Sequence, residues 1–574
     1  MPEMSKSQRG RHAIRTFKVL TDAIILQGMY KPSGMVGEKL AEALRQLSPE
    51  IYGSMNDSRV VELKGLHYVI DRMPRGIENC TRLIFTAQED FQHTSFEKIV
   101  PLKRRRASYA VSAKEICFVI TTGKSEIYDI LTHITFLNIE AQKVFARRTY
   151  RGDEVSHEWL ELERLATGSQ EPVGEELEQA IWNLSIILGR SYHETRETYD
   201  ALEKSRREFN SNNGLFRIVY GIGNRMMAEQ ESVKNQLTIY FTPALQEMID
   251  QQKYAAHWAE ALKAELFRLH LDDRPLHLIS ANMHSLLNLI YGAGALAAAG
   301  IAVPADLYAM VRTIRDQGAA VSILAREYGF VFLDDQSGAN IDVEIIDLSR
   351  IDPGHLHPDL QINLDFVKVA KPVLVVIDYA FGTQAFDVMD ELLNPCQIEG
   401  RELCFDVQSI SIMGKAGVLP GKKGDIMLAT AHVMEGTANN YMVNNDLTPG
   451  DFADDVAVYV GPMLTVLGTS LQNRDVLERF FSSSWRAVGL EMEGGHYQRA
   501  ISGAIIQGHI PASMKTRYAY YASDNPMISG QTLASGPMGD EGIVPTYMIA
   551  KIILEKIANY DKPVEGTSPA QPPA

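Results

Sequence analysis

The chain has 574 residues, of which 45% are hydrophobic and 22% are charged, and its formal net charge is −16. This length exceeds what one small hydrophobic core needs, so we expect at least two domains. The balanced composition argues against wholesale disorder, collagen-like repeats and disulfide scaffolds, and the acidic charge disfavours general binding to a nucleic-acid backbone.

The sequence also excludes several other classes of protein. Its four cysteines are too few and too scattered for a disulfide framework or a paired CxxC metal site. No apolar run reaches the roughly 20 residues that span a bilayer, and the charged N-terminus lacks the apolar core of a signal peptide. We therefore expect a soluble, cytoplasmic protein with no membrane or nucleic-acid partner.

The first part of the chain has the periodicity of helices. From about residue 14 to residue 270, apolar residues recur at spacings of three and four, which is typical of amphipathic helices. We predict that residues 1–270 form a mainly helical domain. One stripe that predicts a single long helix consists of Ile181, Leu184, Leu188, Tyr192, Tyr199 and Leu202.

From about Pro275, short β-type runs alternate with helical patterns, and near-continuous apolar runs are typical of strands covered on both faces. We predict that residues 271–560 form an α/β domain, with a mixed, largely parallel sheet flanked by helices and ligands at the carboxyl ends of its strands. The Pro-rich residues 561–574 predict a disordered tail. The predicted strands are 276–280, 372–377, 409–413, 425–429, 457–466, 487–492 and 517–522, and helical patterns follow at 383–393 and 493–506.

Two carboxylates, Glu491 and Glu493, flank Met492 where a predicted strand gives way to a helix. Alternate residues of an extended segment face the same side, so both side chains would project together at the mouth of the sheet. A carboxylate can accept hydrogen bonds from two neighbouring hydroxyls, as a ribose 2′,3′-diol offers. The alternative is a pair of exposed acids at a helix N-terminus, where the helix dipole favours them.

Another acid, Asp524, follows Ser523 at the end of the aromatic run 517–522. A partly desolvated aspartate can have a raised pKa and donate its proton to a leaving group. An Asx-type turn is the structural alternative. Earlier in the chain, Gly414 and Gly417 either let the backbone pass close to a bound ring or allow a tight crossover.

The order and spacing of these segments resemble the nucleoside phosphorylase/nucleosidase superfamily. The resemblance rests on G-x-A-G-x-L, then GD before an apolar strand, then E-M-E-G, then S-D after another strand, and it covers roughly residues 366–557. Within the superfamily, AMP nucleosidases are the most similar, because they also carry SD-x-P followed by a long loop, here 527–542, and an N-terminal helical domain. The resemblance implies a homo-oligomer whose helical domain has a regulatory or oligomerisation role.

The implied activity is hydrolysis of the N-glycosidic bond of a purine nucleoside or nucleotide, with no cofactor and no metal. By resemblance, Glu493 would hold the ribose hydroxyls, and Asp524 would protonate N7 of the base. The other implied substrate-binding residues are Glu491, Met492, Ser523, Gly414, Gly417, Gly382 and Thr383.

Two departures from the family's pattern keep other functions open. The turn 377–385 places Asp378 and Tyr379 where a phosphorylase would bind its anion, which favours hydrolysis over phosphorolysis. Hydrolytic relatives often use a glutamate in the first helix to activate water, whereas the matching stretch of this chain reads ANMHSLL. His284 is the candidate for activating water here. The alternative is that His284 is a structural histidine, which caps the helix or packs in the core. A non-catalytic purine nucleotide or nucleoside sensor and a phosphate-dependent phosphorylase are the remaining alternatives.

Overall fold

The structure is a computed structural model that describes residues 4–87, 93–103, 106–149, 154–315, 317–453, 456–528 and 539–559. The predicted tail and residues 529–538 of the predicted loop lie outside the described residues. Within these ranges, no helix combines the length and the apolar character needed to cross a membrane.

The first half is mainly helical, as predicted, and it also contains a six-stranded sheet that the sequence periodicity did not reveal. The strands have two to six residues, too short for a clear alternation, and their order in the sheet is β1-β6-β2-β5-β4-β3. The helices are α1 (Lys6–Gln27), α2 (Met35–Leu47), α3 (Leu63–Ile70), α4 (Lys124–Ala146), α5 (His157–Thr167), α6 (Glu175–Leu188), α7 (Tyr192–Phe209), α8 (Leu215–Glu231), α9 (Pro243–Gln251) and α10 (Lys253–Arg268). The strands are β1 (Met29–Tyr30), β2 (Arg82–Thr86), β3 (Glu97–Ile99), β4 (Ala107–Ser112), β5 (Glu115–Val119) and β6 (Thr238–Phe241).

The apolar stripe from Ile181 to Leu202 belongs to two helices, α6 and α7, so the prediction of one long helix is wrong. Gly189 ends α6 with a left-handed φ of 64°, a conformation that glycine adopts without steric cost. Ser191 then begins α7 with a capping box, in which its side chain and that of Glu194 each accept a hydrogen bond from the other's backbone.

In the second half, all seven predicted strands and both predicted helices are confirmed. The strands are β7 (Leu276–Ser280), β8 (Phe330–Leu333), β9 (Val343–Asp347), β10 (Val373–Ile377), β11 (Cys396–Ile398), β12 (Arg401–Leu403), β13 (Val407–Val418), β14 (Ile426–Met434), β15 (Asn440–Met442), β16 (Val458–Thr465), β17 (Gly489–Glu491) and β18 (Lys515–Asp524). The helices are α11 (Ser285–Ala298), α12 (Leu307–Ile314), α13 (Gly318–Glu327), α14 (Leu364–Ala370), α15 (Gln384–Leu393), α16 (Arg474–Ser482), α17 (Gly494–Gln507) and α18 (Ile543–Ala558).

Ten of these strands form one mixed sheet flanked by helices. Its order is β15-β14-β16-β17-β13-β7-β10-β9-β8, and β18 pairs with both β13 and β14. Half of the strand pairs are antiparallel, because β8, β9, β15 and β17 run against neighbours. The sheet is therefore mixed as predicted, but it is not largely parallel.

Two apolar clusters cover the two faces of this sheet. The larger one includes Phe17 and Phe136 from the first half together with Ile412 and Tyr518 from the second, so the two halves share a core. The other cluster lies where α11, α12, α13 and α18 pack on the opposite face. The division at residue 270 and the role of the first domain stay predictions.

Candidate active site

The two acid-bearing segments meet at Gly417 of β13. On one side, Gly417 pairs with Leu490, the residue before Glu491. On the other side, it pairs with Asp524 at the end of β18. Because neighbouring strands lie about 4.7–4.9 Å apart, the two segments are only about 10 Å apart across β13. A register shift between Ala416 and Gly417 accompanies this double pairing.

A cavity of about 1450 Å³ opens over the carboxyl ends of the central strands. Of the residues predicted from the sequence, Gly414, Glu491, Met492, Glu493, Ser523 and His284 line it. Gly417, Gly382, Thr383 and Asp524 are not among the lining residues, although Asp524 follows the lining residue Ser523 in β18. A ligand-sized space therefore lies beside the predicted acids.

Glu491 is an anchor for the start of α17. Its carboxylate accepts hydrogen bonds from the Thr465 hydroxyl at 2.6 Å, from the Glu493 amide at 2.5 Å and from the Gly494 amide. Burial alone would raise the pKa of Glu491, but these hydrogen bonds and the neighbouring His432 lower it below its ordinary value. Glu491 is thus held as a carboxylate, with its oxygens directed at the protein.

Glu493 is held by the turn after β10, and that turn is held by the first half of the chain. Its Oε1 accepts a hydrogen bond from the Gly382 amide at 2.9 Å. The next amide, that of Thr383, donates to the Oγ of Ser125 at 2.9 Å. Gly382 has a φ of 56°, and any Cβ there would collide with the Ser125 side chain. The amides of Gly382 and Thr383 therefore support Glu493 instead of facing the cavity.

The two carboxyl oxygens of Asp524 differ in their hydrogen bonding. Its Oδ1 accepts from the Ser523 hydroxyl at 2.6 Å, whereas its buried Oδ2 has no hydrogen-bond partner among the described residues. Burial raises the pKa of this carboxyl, and Ser523 and Lys415 oppose that rise. A buried carboxyl with a raised pKa and a free oxygen is suited to donating a proton.

His284 precedes α11 as its N-terminal cap residue, but its side chain makes no capping hydrogen bond. Its ring faces Tyr547 across 6.3 Å between ring centroids. Desolvation, with Arg315 as the second cause, lowers the pKa of His284. The neutral imidazole is the form that can accept a proton from water.

The cavity also contains Tyr379, which the sequence analysis placed in the turn after β10, and three residues that sequence reasoning missed. Tyr379 lies against Gly414, where an added Cβ would sit 3.6 Å from its ring, and its exposed aromatic face lines the cavity. From the first half come Arg72 and Lys103. From β9 comes Glu344, for which an acid within the apolar run VEIID was an available signal.

Among the described residues, no group of three or more His, Cys, Asp and Glu is arranged to hold a metal ion. The site is thus built from carboxyl, hydroxyl and aromatic groups around a strand crossing. These groups can bind a polyhydroxylated ring and donate a proton to it.

A family model described as "Family of unknown function (DUF6909)" matches residues 38–302 and 307–559. The chain belongs to this family. The matched segments include both halves and nearly the whole cavity wall. No curated protein matches the DUF6909 chain.

Solved structures similar to half of this chain include nucleosidases and a phosphorylase. A futalosine hydrolase mutant of Helicobacter pylori strain 26695 has 11% identity and a TM-score of 0.29, covering 50% of this chain and 100% of that one. The 5′-methylthioadenosine/S-adenosyl homocysteine nucleosidase of Campylobacter jejuni has 12% identity and a TM-score of 0.29, with the same two coverages. Uridine phosphorylase isoform 2 of Schistosoma mansoni has 12% identity and a TM-score of 0.29, covering 50% of this chain and 87% of that one.

Proposed function

We propose that this protein hydrolyses the N-glycosidic bond of a purine nucleoside or nucleotide and releases the free base, in the manner of an AMP nucleosidase. Glu493 accepts hydrogen bonds from the ribose hydroxyls, and Asp524 donates a proton to N7 of the base. Met492 packs on the sugar, and Gly414 lets the base approach the strand.

The observation that carries the proposal is the pairing of Gly417 with both acid-bearing segments beside one cavity. Cleavage of an N-glycosidic bond builds positive charge on the sugar and negative charge on the base. A fixed carboxylate near the sugar and a proton donor near the base stabilise both ends of that charge separation. Proton donation alone typically contributes about 10²–10⁴ in rate.

Hydrolysis is favoured over phosphorolysis by the turn after β10. In that turn, the Gly382 and Thr383 amides are already bonded to Glu493 and Ser125. Asp378 adds negative charge to the same end of the sheet, where it helps to raise the pKa of the buried Glu344. A phosphate ion would be repelled there, and it could not accept hydrogen bonds from these two amides, because both already donate to acceptors within the protein.

A non-catalytic nucleoside sensor is the second candidate. In the stretch where hydrolytic relatives carry a glutamate, this chain has His284 and Ser285. Ser285 is fully buried, and its Oγ is unpartnered within the described part of the chain. This leaves His284 as the one predicted group for activating water. A sensor would bind nucleosides through the same cavity without releasing base.

The test is to incubate the purified full-length protein with AMP, adenosine, inosine and guanosine, with and without phosphate, and to measure free base by liquid chromatography. We expect base release without phosphate, and a loss of at least about 100-fold in Asp524→Asn. The exposed Asp475→Asn, in the first turn of α16, is the matched control and keeps full activity.

Each outcome decides between the candidates. Release that needs phosphate identifies a phosphorylase. Ligand-induced thermal stabilisation without any base release identifies a sensor. A folded protein that neither binds nor cleaves any of the four compounds contradicts the proposal.

A further inference from the structure

The cavity is larger than a nucleoside needs. Its volume of about 1450 Å³ exceeds the roughly 300–1,000 Å³ typical of pockets for drug-sized ligands. Beyond the acids it continues into a part that we call the far chamber, defined by its lining residues Leu287, Val311, Phe330, Phe332 and Glu344. Four of these five side chains are apolar, and Glu344 is the exception.

Strand pairing places Glu344 at the opposite end of the cavity from Asp524. Glu344 of β9 pairs with Val376 of β10, which pairs with Ile279 of β7, which in turn pairs with Ser411 of β13. Three strand spacings separate β9 from β13, or about 14 Å. Asp524 lies on the other side of β13. Glu493, the proposed sugar site, is held by Gly382 in the turn after β10, the strand next to β9. A nucleoside with its base at Asp524 and its sugar at Glu493 therefore extends towards Glu344.

Glu344 is a buried acid whose hydrogen-bonding capacity is unused. Only 2% of the residue is exposed, and its Oε2 has no hydrogen-bond partner in the part of the chain that the structure describes. Among the described residues, no ion pair joins the Glu344 carboxyl to a basic side chain, and the charged group that acts on it is Asp378. An unpaired buried carboxyl costs free energy unless a ligand satisfies it.

The electrostatics of the far chamber favour a cation beside Glu344. Burial, and then the nearby Asp378, raise the pKa of Glu344 to about 8, so an approaching positive charge would relieve both effects. The titratable or charged residues that line the cavity also include His284 before α11, Arg315 after α12, Arg326 in α13, and the tyrosines Tyr379 and Tyr547. Arg315 is exposed and paired with Asp540, and Arg326 is exposed on its helix.

We propose that the far chamber binds a substituent on C5′ of the nucleoside that has an aliphatic body and ends in a protonated amine, with Glu344 accepting hydrogen bonds from that amine. This inference rests on the proposed function, because it takes its orientation from the sugar and base sites. The apolar side chains pack on the aliphatic body. The carboxylate of Glu344 and the ammonium form a charge-assisted pair shielded from water.

The test compares two ligands of equal length, 5′-(4-aminobutyl)thio-5′-deoxyadenosine and 5′-pentylthio-5′-deoxyadenosine. Their dissociation constants are measured by isothermal titration calorimetry on the full-length Asp524→Asn protein, which prevents cleavage during the titration. We expect the amine to bind at least about tenfold more tightly than the pentyl compound. Amines with two and three methylene groups locate the optimal reach.

Two further substitutions are made in the same Asp524→Asn background. Glu344→Gln preserves the shape of the side chain, and we expect it to abolish the preference for the amine. Glu435→Gln is the matched control, because Glu435 is also buried with an unpartnered oxygen among the described residues, but it does not line the cavity. It is expected to keep the preference, and melting temperatures verify that all variants are folded.

The outcomes separate this inference from the proposed function. Equal binding of the two ligands, or a preference that survives Glu344→Gln, overturns the inference while base release by the wild type still supports the nucleosidase. If no adenosine derivative binds and no nucleoside is cleaved, the proposed function fails and the inference fails with it.

Discussion

The buried charges of the two halves are arranged differently. In the first half, they are largely paired: Arg106 contacts Asp129 at 2.7 Å, and Lys143 contacts Glu140 at 2.8 Å, all with side chains at most 8% exposed. Around the cavity of the second half, neither Asp524 nor Glu344 forms an ion pair with a described basic side chain, and each keeps a buried oxygen without a hydrogen-bond partner in the same part of the chain.

The difference indicates two kinds of buried polar group. A paired buried charge contributes mainly to the specificity and stability of the fold, since its desolvation is offset by its partner. A buried acid beside a cavity that has no basic partner keeps a perturbed pKa, because no opposite charge offsets its desolvation. Such acids are typical of functional sites. On this basis, substitutions of the acids beside the cavity should change activity, and substitutions of the paired charges in the first half should change stability.

The largest effect is expected for Glu493→Gln. The substitution removes the negative charge that faces the developing positive charge on the sugar, so kcat/KM should fall about 100–1,000-fold. Base release by the variant and by the exposed control Glu478→Gln of α16 is compared. An equal loss in both variants would contradict the assignment of Glu493 to the sugar.

Lys143→Met tests the claim that the paired charges of the first half contribute to stability. It leaves Glu140 buried without its partner, so the free energy of unfolding should fall by about 3–5 kcal/mol, as measured by urea denaturation. Activity per folded molecule should stay unchanged. A variant of unchanged stability that has lost activity would show that this pair serves the site.

Glu344 predicts a pH dependence of stability. Its pKa in the folded protein, about 8, lies above its ordinary value of 4.5, so its contribution to stability is complete below pH 4.5. That contribution is lost as the pH rises towards about 8, by at most about 1.4 kcal/mol per pH unit. Urea denaturation of the wild type and Glu344→Gln across this range should show the wild type falling relative to the variant. Parallel curves would exclude the raised pKa.

The smallest effect is expected for Ser125→Ala, which tests the link from the first half to the turn that holds Glu493. It removes the acceptor for the Thr383 amide and loosens the turn that holds Glu493. As Ser125 is a positioning residue, kcat should fall about tenfold while KM changes by less than about twofold.

The matched control is Ser185→Ala. Ser185 is also buried, and its hydroxyl donates to the Trp182 carbonyl within α6 and not to the turn after β10. Equal kcat values for Ser125→Ala and Ser185→Ala would show that the first half does not position Glu493.

Local sequence patterns were sufficient to predict most of the strands and helices of the second half that surround the site. Runs such as 276–280 and 372–377 are continuous and apolar, and they became β7 and β10 at nearly the predicted bounds. The proximity of Glu491 and Asp524 followed from their positions at strand ends. Their double pairing with Gly417 depends on sheet order, which the local pattern does not encode.

The remaining features depend on contacts between distant residues. Strands β1 and β6 pair across more than half of the first domain, and each is too short to show alternation. Ser125 supports Thr383 across 258 residues, so no local pattern marks it as part of the site. Glu344, in contrast to Ser125, has a local signal. It is an acid within an apolar run that predicts a buried strand, and this pattern could have identified it as a candidate site residue.

The most direct test of the central claim is the rate of base release by Asp524→Asn, with the nucleoside that the wild type cleaves best. Asp524 must be protonated to donate, so the wild-type rate should fall as the pH rises through the raised pKa of this carboxyl. The account predicts that Asp524→Asn releases base at least about 100-fold more slowly, with unchanged nucleoside binding. A folded Asp524→Asn protein that releases base at the wild-type rate, with the same pH profile, would contradict it.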